Sequence, residues 1–154
     1  MSSKRQSKSG SAKPSEEAST FLRNMHHFNR GIVRRLTPII ESEHGIDLRL
    51  YFILKYIEKG AIHPSAISQA THLPNSVITR HIDQLVERGM LQRSLDPDDS
   101  RRIRLIVTDE GKRVAQDADA SLSRIVDVQL DRIPADRRQT FLSVLSDLAS
   151  EIES

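Results

Sequence analysis

Cysteine is absent from this chain of 154 residues. Its absence excludes disulfide bonds, thiolate metal sites and thiol-based peroxide sensing. No apolar run approaches the ~20 residues that a membrane-spanning helix needs, and the basic N-terminal residues lack the apolar stretch of a secretion signal. From these absences we expect a soluble protein of the cell interior that has no membrane partner.

Aromatic residues are also scarce, at 4% of the chain, and neither charge sign dominates, because the formal net charge is only +2. Beyond Met1, residues 1–18 contain no bulky apolar side chain and are rich in Ser, Lys, Gly and Ala. Such a segment cannot bury enough surface to offset its chain entropy, so a disordered basic tail is predicted. Its four cations, Lys4, Arg5, Lys8 and Lys13, either contact phosphates or serve only solubility.

A helix is predicted from about Ser19 to Glu43, because apolar residues recur there at spacings of three and four and so lie on one stripe. The stripe consists of Phe21, Met25, Phe28, Ile32, Leu36 and Ile39. Pro38 lies inside this pattern and removes a backbone hydrogen bond to the Arg34 carbonyl, so a bend or an early end is expected there. Gly45 marks the following turn.

Three shorter helices are predicted next. Residues 47–59 are densely apolar on one side and are followed by Gly60 as a stop. Residues 64–71 begin with a proline at a first-turn position. The third helix, 74–89, is amphipathic. Its inward-facing residues are predicted to be Ile78, Ile82, Leu85 and Val86, and its polar side carries Asn75, Ser76, Thr79, Arg80 and Asp83.

Two short strands are predicted after this helix, at 90–94 and 102–107, with the turn-forming sequence LDPDDSR between them. The pair is therefore predicted to be a hairpin with a long tip. Thr108 is expected to cap a further helix whose first turn carries carboxylates. Helical patterns then continue towards the C-terminus and are broken at Pro134.

The amphipathic helix and the hairpin tip have the chemistry that reads duplex DNA. The major groove, about 12 Å wide, admits one helix, whose first turns present side chains to base edges. Those turns here offer an amide, two hydroxyls and a guanidinium, from Asn75, Ser76, Thr79 and Arg80. Arg101 and Arg102 are expected to reach phosphates or the minor groove. The plain alternative for both arginines is a solvated turn.

Three motifs between Ala66 and Arg113 stand in a specific order and spacing. They are VITRHIDQLVERGML in the amphipathic helix, Asp99-Ser100-Arg101 in the hairpin tip, and LIVTDEG at the close of the hairpin. Together they resemble the MarR-type family of regulators, and the resemblance extends more loosely over most of residues 20–152.

The resemblance implies a fold that is mainly α with a small β-wing. A winged helix-turn-helix domain at 47–108 would be flanked by dimerisation helices at 19–46 and 109–154 in a triangular homodimer. The family binds pseudo-palindromic operators in double-stranded DNA, usually to repress transcription, in the cytoplasm of bacteria or archaea and associated with the nucleoid. Many members release DNA when a small aromatic acid or phenol binds. No cofactor is implied.

The resemblance also implies roles for individual residues. The readers of the major groove would be Asn75, Ser76, Thr79 and Arg80. Arg101 would be the wing arginine, with Arg102 beside it, and Asp99 the carboxylate that orients the wing. Relatives commonly have Ser or Thr where this chain has Pro74. Because proline offers no capping oxygen, the start of the helix at Pro74 or Asn75 stays open.

A ligand site is a further expectation, motivated by the family. Donors for an anion on the first predicted helix are Arg23, His26, His27 and Arg30, with surface or interface histidines as the alternative. Tyr51 and Phe52 offer aromatic surface on the second helix, with plain core as the alternative. A small aromatic carboxylate or phenol is expected to bind among these residues.

Other classes of protein fit the sequence less well. Asp96, Asp98 and Asp99 lack the ligand spacing and the glycine of a calcium loop, so no metal site is expected. Nothing resembles a nucleophile elbow, a phosphate loop or a zinc-protease helix, so no catalytic residue is expected. The remaining alternative is a winged-helix module that binds proteins rather than a specific DNA sequence.

Overall fold

The computed structural model describes residues 15–152, which form six helices and one two-stranded antiparallel sheet. Their order is α1 (Glu16–His44), α2 (Leu48–Glu58), α3 (Pro64–Thr71), α4 (Asn75–Glu87), β1 (Leu91–Leu95), β2 (Ile103–Val107), α5 (Asp109–Leu130) and α6 (Ala135–Ile152). The chain divides between Arg35 and Leu36 into two compact units, so α1 contributes to both. Within residues 15–152 no helix is long and apolar enough to cross a membrane.

Helix α1 begins earlier than predicted. Ser15 caps its start, since the Ser15 Oγ accepts a hydrogen bond from the Ala18 N–H at 3.0 Å. Glu16 and Glu17 place negative charge beside the unpaired N–H groups of the first turn. Residues 16–18 are therefore helical rather than part of the predicted tail, and residues 1–14 of that tail lie outside the described residues.

The early end that was expected at Pro38 is wrong, because α1 continues through this proline to His44. Pro38 is exposed, so water can replace the hydrogen bond that the proline ring removes. On either side of it, Leu36 and Ile40 are buried. Their burial favours continuation of the helix despite the missing bond.

Helices α2, α3 and α4 begin close to the predicted residues. The Asp47 Oδ1 accepts a hydrogen bond from the Leu50 N–H at 2.9 Å and so caps α2. Helix α3 has its predicted bounds. Helix α4 begins at Asn75, and Pro74 is its cap residue without a side-chain hydrogen bond. Asn75 is therefore the first helical residue, which resolves the start that the sequence left open.

The core of the second unit is built around α2, which contacts α3, α4, α5 and β2. Its buried side chains include Leu50, Ile53, Leu54 and Ile57. From α4, Ile78, Ile82 and Leu85 are buried as predicted. Val86 is only partly buried, and His81 is the fourth buried residue of α4. The prediction for Val86 is wrong in this respect because positions 78, 81, 82 and 85 form the centre of the apolar stripe and position 86 lies at its edge.

The wing is the antiparallel pair β1 and β2, in which Leu91 lies opposite Val107 and Leu95 opposite Ile103. Both strands begin one residue later than predicted. At the base of the wing, the Leu105 N–H donates to the Ile62 carbonyl at 2.8 Å and ties β2 to the segment before α3. Leu91 and Leu105 are buried, so the base of the wing belongs to the core.

Helices α5 and α6 follow the wing. The Thr108 Oγ1 accepts a hydrogen bond from the Gly111 N–H at 3.1 Å and caps α5 as predicted. Large apolar side chains on α6 are exposed: Phe141, Leu142, Val144 and Leu148. In the first unit the exposed apolar side chains of α1 are Phe21, Leu22, Met25, Phe28 and Val33. A single copy of the chain therefore leaves apolar helix faces in contact with water.

Gly111 in the LIVTDEG motif has a packing reason to be glycine. A Cβ at this position would overlap the Met90 carbonyl oxygen and lie 2.9 Å from the Val107 Cγ1. The Met90 carbonyl accepts the Thr108 N–H at 3.1 Å just before α5, so it is not free to move away. The glycine thus lets α5 start directly against the residue that opens the wing.

Gly111→Ala is expected to lower the free energy of unfolding by about 1–3 kcal/mol, because the added methyl group overpacks a rigid backbone contact. Chemical denaturation followed by circular dichroism measures the change. Gly31→Ala is the matched control, since a Cβ at this helical glycine meets no heavy atom within 4 Å, and it should leave stability equal or higher. Equal denaturation midpoints for wild type and Gly111→Ala would contradict this account.

Candidate nucleic-acid interface

The polar side of α4 is fully available to a partner. The four residues predicted to read DNA are all exposed, namely Asn75, Ser76, Thr79 and Arg80. The Thr79 Oγ1 donates to the Asn75 carbonyl at 2.9 Å, which leaves its oxygen free to accept. Within residues 15–152 the Arg80 guanidinium has no hydrogen-bond or ion-pair partner. An amide, two hydroxyls and a free cation thus lie on one helix face.

An open groove of about 370 Å³ lies between α4, the start of α3 and the wing. Its lining consists of His63, Pro64, Ser65, Asn75, Thr79, Arg101, Arg102 and Ile103. The structure therefore brings Asn75 and Thr79 together with both predicted wing arginines. Ser76 and Arg80 lie on the same turns of α4 but do not line this groove.

The tip of the wing, residues 96–102, is folded by its own backbone and by its aspartates. The Asp99 Oδ1 accepts the Arg101 N–H at 3.0 Å. The Asp99 carbonyl accepts the Arg102 N–H at 2.9 Å, and the Asp96 N–H donates to the Arg102 carbonyl at 3.0 Å. Asp99, predicted to orient the wing, thus holds the backbone of Arg101. Both arginine side chains are exposed.

Asp96 has a larger part in the wing than the sequence indicated. Its Oδ1 accepts the Asp98 N–H at 2.9 Å. This bond, with the nearby His63 and Arg102, holds the pKa of the Asp96 carboxyl below its ordinary value. The carboxylate serves here as an acceptor within the tip. In the part of the chain that the structure describes, no three His, Cys, Asp or Glu residues are grouped to hold a metal ion.

Two contacts that sequence reasoning missed support the wing from the helices. The Nδ1 of His63, the residue before α3, lies 2.9 Å from the Ile103 carbonyl, and its Nε2 lies 3.1 Å from the Asp96 Oδ2. Arg93 of β1 forms an ion pair with Asp83 of α4. The only sequence signal for His63 was its place before Pro64, and nothing local indicates a partner some 40 residues away.

Comparison with known protein families shows which family has a sequence similar to this helix–wing segment. Residues 44–102 match the model of the MarR family, and they contain α2, α3, α4, β1 and most of the wing tip. Over these residues the chain is similar to the MarR family. The resemblance carried by the three sequence motifs is thereby confirmed.

A known relative agrees with this similarity. This chain is 24% identical over 106 residues to the uncharacterised HTH-type transcriptional regulator YdgJ of Bacillus subtilis (strain 168), a match that covers 69% of this chain and 65% of YdgJ. The chain thus spans slightly under two thirds of that relative.

Three solved structures have the same winged-helix fold. The transcriptional regulator BldR from Sulfolobus solfataricus has a TM-score of 0.77 at 19% identity, with 88% of this chain and 96% of BldR covered. Mutant MarR from E. coli complexed with operator DNA has a TM-score of 0.73 at 22% identity, with 86% and 95% covered. PcaV from Streptomyces coelicolor, in complex with its natural ligand, has a TM-score of 0.64 at 23% identity, with 88% and 93% covered.

Tyr51, one of the two aromatic residues predicted for a ligand site, is buried. Its hydroxyl donates a hydrogen bond to Asp119 of α5. Burial, followed by this contact with Asp119, raises the pKa of Tyr51 to about 12. Lys55 lies 2.8 Å from the Asp119 Oδ2 and 3.1 Å from the Glu58 Oε2. Tyr51 is therefore part of the α2–α5 packing, as its core alternative predicted, and its hydroxyl is occupied.

Phe52 remains half exposed and packs edge-on against the Tyr51 ring, with ring centroids 5.1 Å apart. Beside it is a pocket of about 200 Å³ lined by Tyr51, Phe52, Lys55, Tyr56 and Lys59. Lys59 is exposed, and within the described residues its ammonium has no partner. Aromatic surface and a free cation therefore meet on one side of α2.

The predicted anion donors of α1 lie in the first unit. Arg23, His26, His27 and Arg30 are all exposed, and the helix period places them on the side opposite the apolar stripe. The His26 and His27 rings meet edge-on with centroids 5.9 Å apart, and the Arg23 Nη2 lies 3.3 Å from the Thr20 Oγ1. A ligand site that joins these residues to Tyr51 and Phe52 stays a prediction.

A serine, a histidine and a glutamate meet between the end of α1 and α5, but not with the geometry of a catalytic triad. The Ser121 Oγ donates to the Glu43 Oε2 at 2.6 Å, and the His44 Nε2 lies 2.9 Å from the same Oγ. In a nucleophile–base pair the serine proton faces the histidine instead. Ser121 is also only 5% exposed. This cluster therefore joins two helices.

Proposed function

We propose that this chain is a sequence-specific DNA-binding transcriptional regulator. The observation that carries the proposal is the groove in which Asn75 and Thr79 of α4 face Arg101 and Arg102 of the wing. A helix whose first turns offer amide, hydroxyl and guanidinium groups suits base edges in the major groove. The wing arginines beside it suit the phosphates or the minor groove.

The distribution of charge favours DNA over a protein partner. Arg80, Arg101 and Arg102 are exposed, and none of their guanidinium groups forms a hydrogen bond or a close ion pair among residues 15–152; Arg102 interacts only at longer range, with Asp96. Asp96 and Asp99 accept backbone N–H groups of the tip, so their lone pairs are partly engaged within the wing. A winged helix that bound proteins would have no need for unpaired cations on both the helix and the wing.

The proposed regulator acts as a homodimer on a pseudo-palindromic operator. The exposed apolar side chains of α6, Phe141, Leu142, Val144 and Leu148, support a partner on this helix. The exposed apolar face of α1 supports the same arrangement. A two-fold axis between copies would present two α4 helices to half-sites about 34 Å apart, one turn of DNA.

Arg80→Ala is expected to weaken binding to a selected operator by about 1–3 kcal/mol, or about 5- to 150-fold, if Arg80 pairs with a base edge. Arg101→Ala should weaken binding more evenly across sequences and reduce the salt dependence if it contacts phosphates. In vitro selection from random DNA, followed by fluorescence anisotropy at several salt concentrations, measures both effects.

The control for these two variants is Arg132→Ala. Arg132 is exposed and follows α5, a helix of 22 residues whose length of about 33 Å separates it from the wing. This variant loses the same charge and should bind like wild type. Operator affinities for Arg80→Ala and Arg101→Ala equal to that of Arg132→Ala would remove the assignment of reading helix and wing.

Leu148→Glu is expected to shift the protein from dimer towards the 17.4 kDa monomer, because a charge would replace an apolar side chain in the proposed subunit interface. Sedimentation velocity measures the mass. Ser143→Glu is the matched control, since Ser143 lies on the opposite side of α6 and is exposed. A wild-type protein that stays monomeric at micromolar concentration would disprove the proposed homodimer.

A second proposal concerns release from DNA by a small aromatic carboxylate or phenol, which would make the regulator a ligand-responsive repressor. The pocket beside Phe52 and Lys59 supports it, since an aromatic ring can pack on Phe52 and Tyr56 while a carboxylate meets the Lys59 ammonium. The PcaV structure with its natural ligand makes a ligand site in this fold reasonable. The donors predicted on α1, Arg23, His26, His27 and Arg30, are further candidates for a contact with the anion.

Salicylate and related acids titrated into the protein–operator complex should lower operator affinity by about 5- to 150-fold, a coupling of about 1–3 kcal/mol. The physical reason is a population shift towards a dimer whose reading helices no longer fit two half-sites. In Lys59→Ala and in Arg23→Ala, the acid should lower operator affinity less than in wild type, and the variant whose side chain contacts the acid should show the larger loss of this effect. If no acid in a broad aromatic panel changes the melting temperature or the operator affinity, the ligand proposal fails and the DNA proposal stands.

A further inference from the structure

His63 lies where the wing meets the helices, and both of its ring nitrogens face the wing. The Nδ1 lies 2.9 Å from the carbonyl oxygen of Ile103, the first residue of β2. The Nε2 lies 3.1 Å from the Asp96 Oδ2 in the tip. His63 is the cap residue of α3 but makes no side-chain cap bond. Its ring is therefore committed to the wing and not to its own helix.

Both partners of the ring are acceptors. A backbone carbonyl can only accept, and an ionised carboxylate can only accept. The Asp98 N–H bond to Asp96 and the nearby cations favour the ionised form of that carboxyl, since they lower its pKa. A neutral imidazole has one N–H and can satisfy one of the two acceptors, whereas the imidazolium has two and satisfies both. Both contacts can be hydrogen bonds only when the ring is protonated.

These two bonds hold both ends of the tip. Asp96 directly follows β1, Ile103 opens β2, and the strand pair between Leu95 and Ile103 is the last one before the tip. The bond between the Asp96 N–H and the Arg102 carbonyl closes the loop just outside the His63 contact. Through the His63 ring, the start of α3 therefore fixes the point from which Arg101 and Arg102 project into the groove.

We propose that His63 is the positioning residue of the wing, that it acts as an imidazolium, and that operator binding is coupled to uptake of a proton by His63. This inference rests on the proposed DNA-binding function. The wing tip that contacts the ring carries the charged residues Asp96, Asp98, Asp99, Arg101 and Arg102, and the other lining residues of the groove, Pro64, Ser65, Asn75, Thr79 and Ile103, are uncharged. The negative charge of a phosphate in the groove would offset the positive charges of the two arginines, and it would therefore favour the protonated ring.

The direction of the pH dependence of operator binding follows from how many protons the complex and the free protein each bind. If the complex holds more protons than the free protein, operator affinity is highest at low pH and falls as the pH rises through the range in which histidine titrates, near about 6.5. Each subunit contributes one such histidine. A merely structural role of the ring would lower affinity by the same factor at every pH when His63 is replaced.

Operator affinity measured by anisotropy is expected to fall about threefold to tenfold for wild type between about pH 6 and about pH 8. His63→Gln should bind more weakly at the lower pH and lose most of this dependence, since its amide has no charge to gain. Asp96→Asn should also bind more weakly at the lower pH and show a smaller pH dependence. His72→Gln is the matched control, because His72 is exposed at the end of α3, and it should keep the wild-type profile.

Nitrogen NMR of the histidine rings gives a readout that does not need DNA. The His63 ring should show an N–H on both nitrogens at about pH 6, and Asp96→Asn should weaken the signal of the second N–H. A His63→Gln variant that keeps the wild-type pH profile, or a His63 ring that stays neutral in the operator complex at about pH 6, would overturn the inference. A wild type that binds no selected DNA at either pH would instead remove the proposed function, and with it the coupling.

Discussion

The burial of α2 is the constraint on which the rest of the structure depends. This helix contacts α3, α4, α5 and β2, and its aliphatic side chains Leu50, Ile53, Leu54 and Ile57 are at most 5% exposed. Each contributes about 1.5–3 kcal/mol by burial, whereas an exposed ion pair such as Arg93 with Asp83 contributes less than about 1 kcal/mol. Apolar packing against α2 therefore sets the orientation of α4, and the outward polar face of α4 follows from it.

Charge is organised locally in a chain whose net charge is only +2. Asp96 and Asp99 fold the wing tip by accepting its N–H groups, and Asp83 and Asp119 pair with cations of other elements. The guanidinium groups at the groove form no hydrogen bond or close ion pair in the described part of the chain. At this groove the carboxylates of Asp96 and Asp99 accept N–H groups while Arg101 and Arg102 stay exposed, so a nearly neutral chain presents cations at one site.

At the candidate site, local sequence patterns predicted the elements and most of the site residues, but they did not predict the long-range contacts. Period and motif located the start of α4, the two strands of the hairpin and the Thr108 cap of α5 to within a residue, because helix period, capping chemistry and turn composition act over a few residues. They also identified Asn75, Thr79, Arg101 and Arg102, which the structure brings to one groove. The end expected at Pro38 was wrong because burial of Leu36 and Ile40 outweighs one lost hydrogen bond.

What the sequence determined by itself was the order of elements, the resemblance to the MarR family and the chemical character of the exposed face of α4. What only the tertiary structure decided was which distant groups meet. His63 contacts Ile103 and Asp96, and Tyr51 places its hydroxyl on Asp119. No local rule links these residues, because their separation along the chain far exceeds the period of a helix or a turn. Their meeting is set by how α2 packs against its neighbours, and packing is a property of the whole core rather than of any segment.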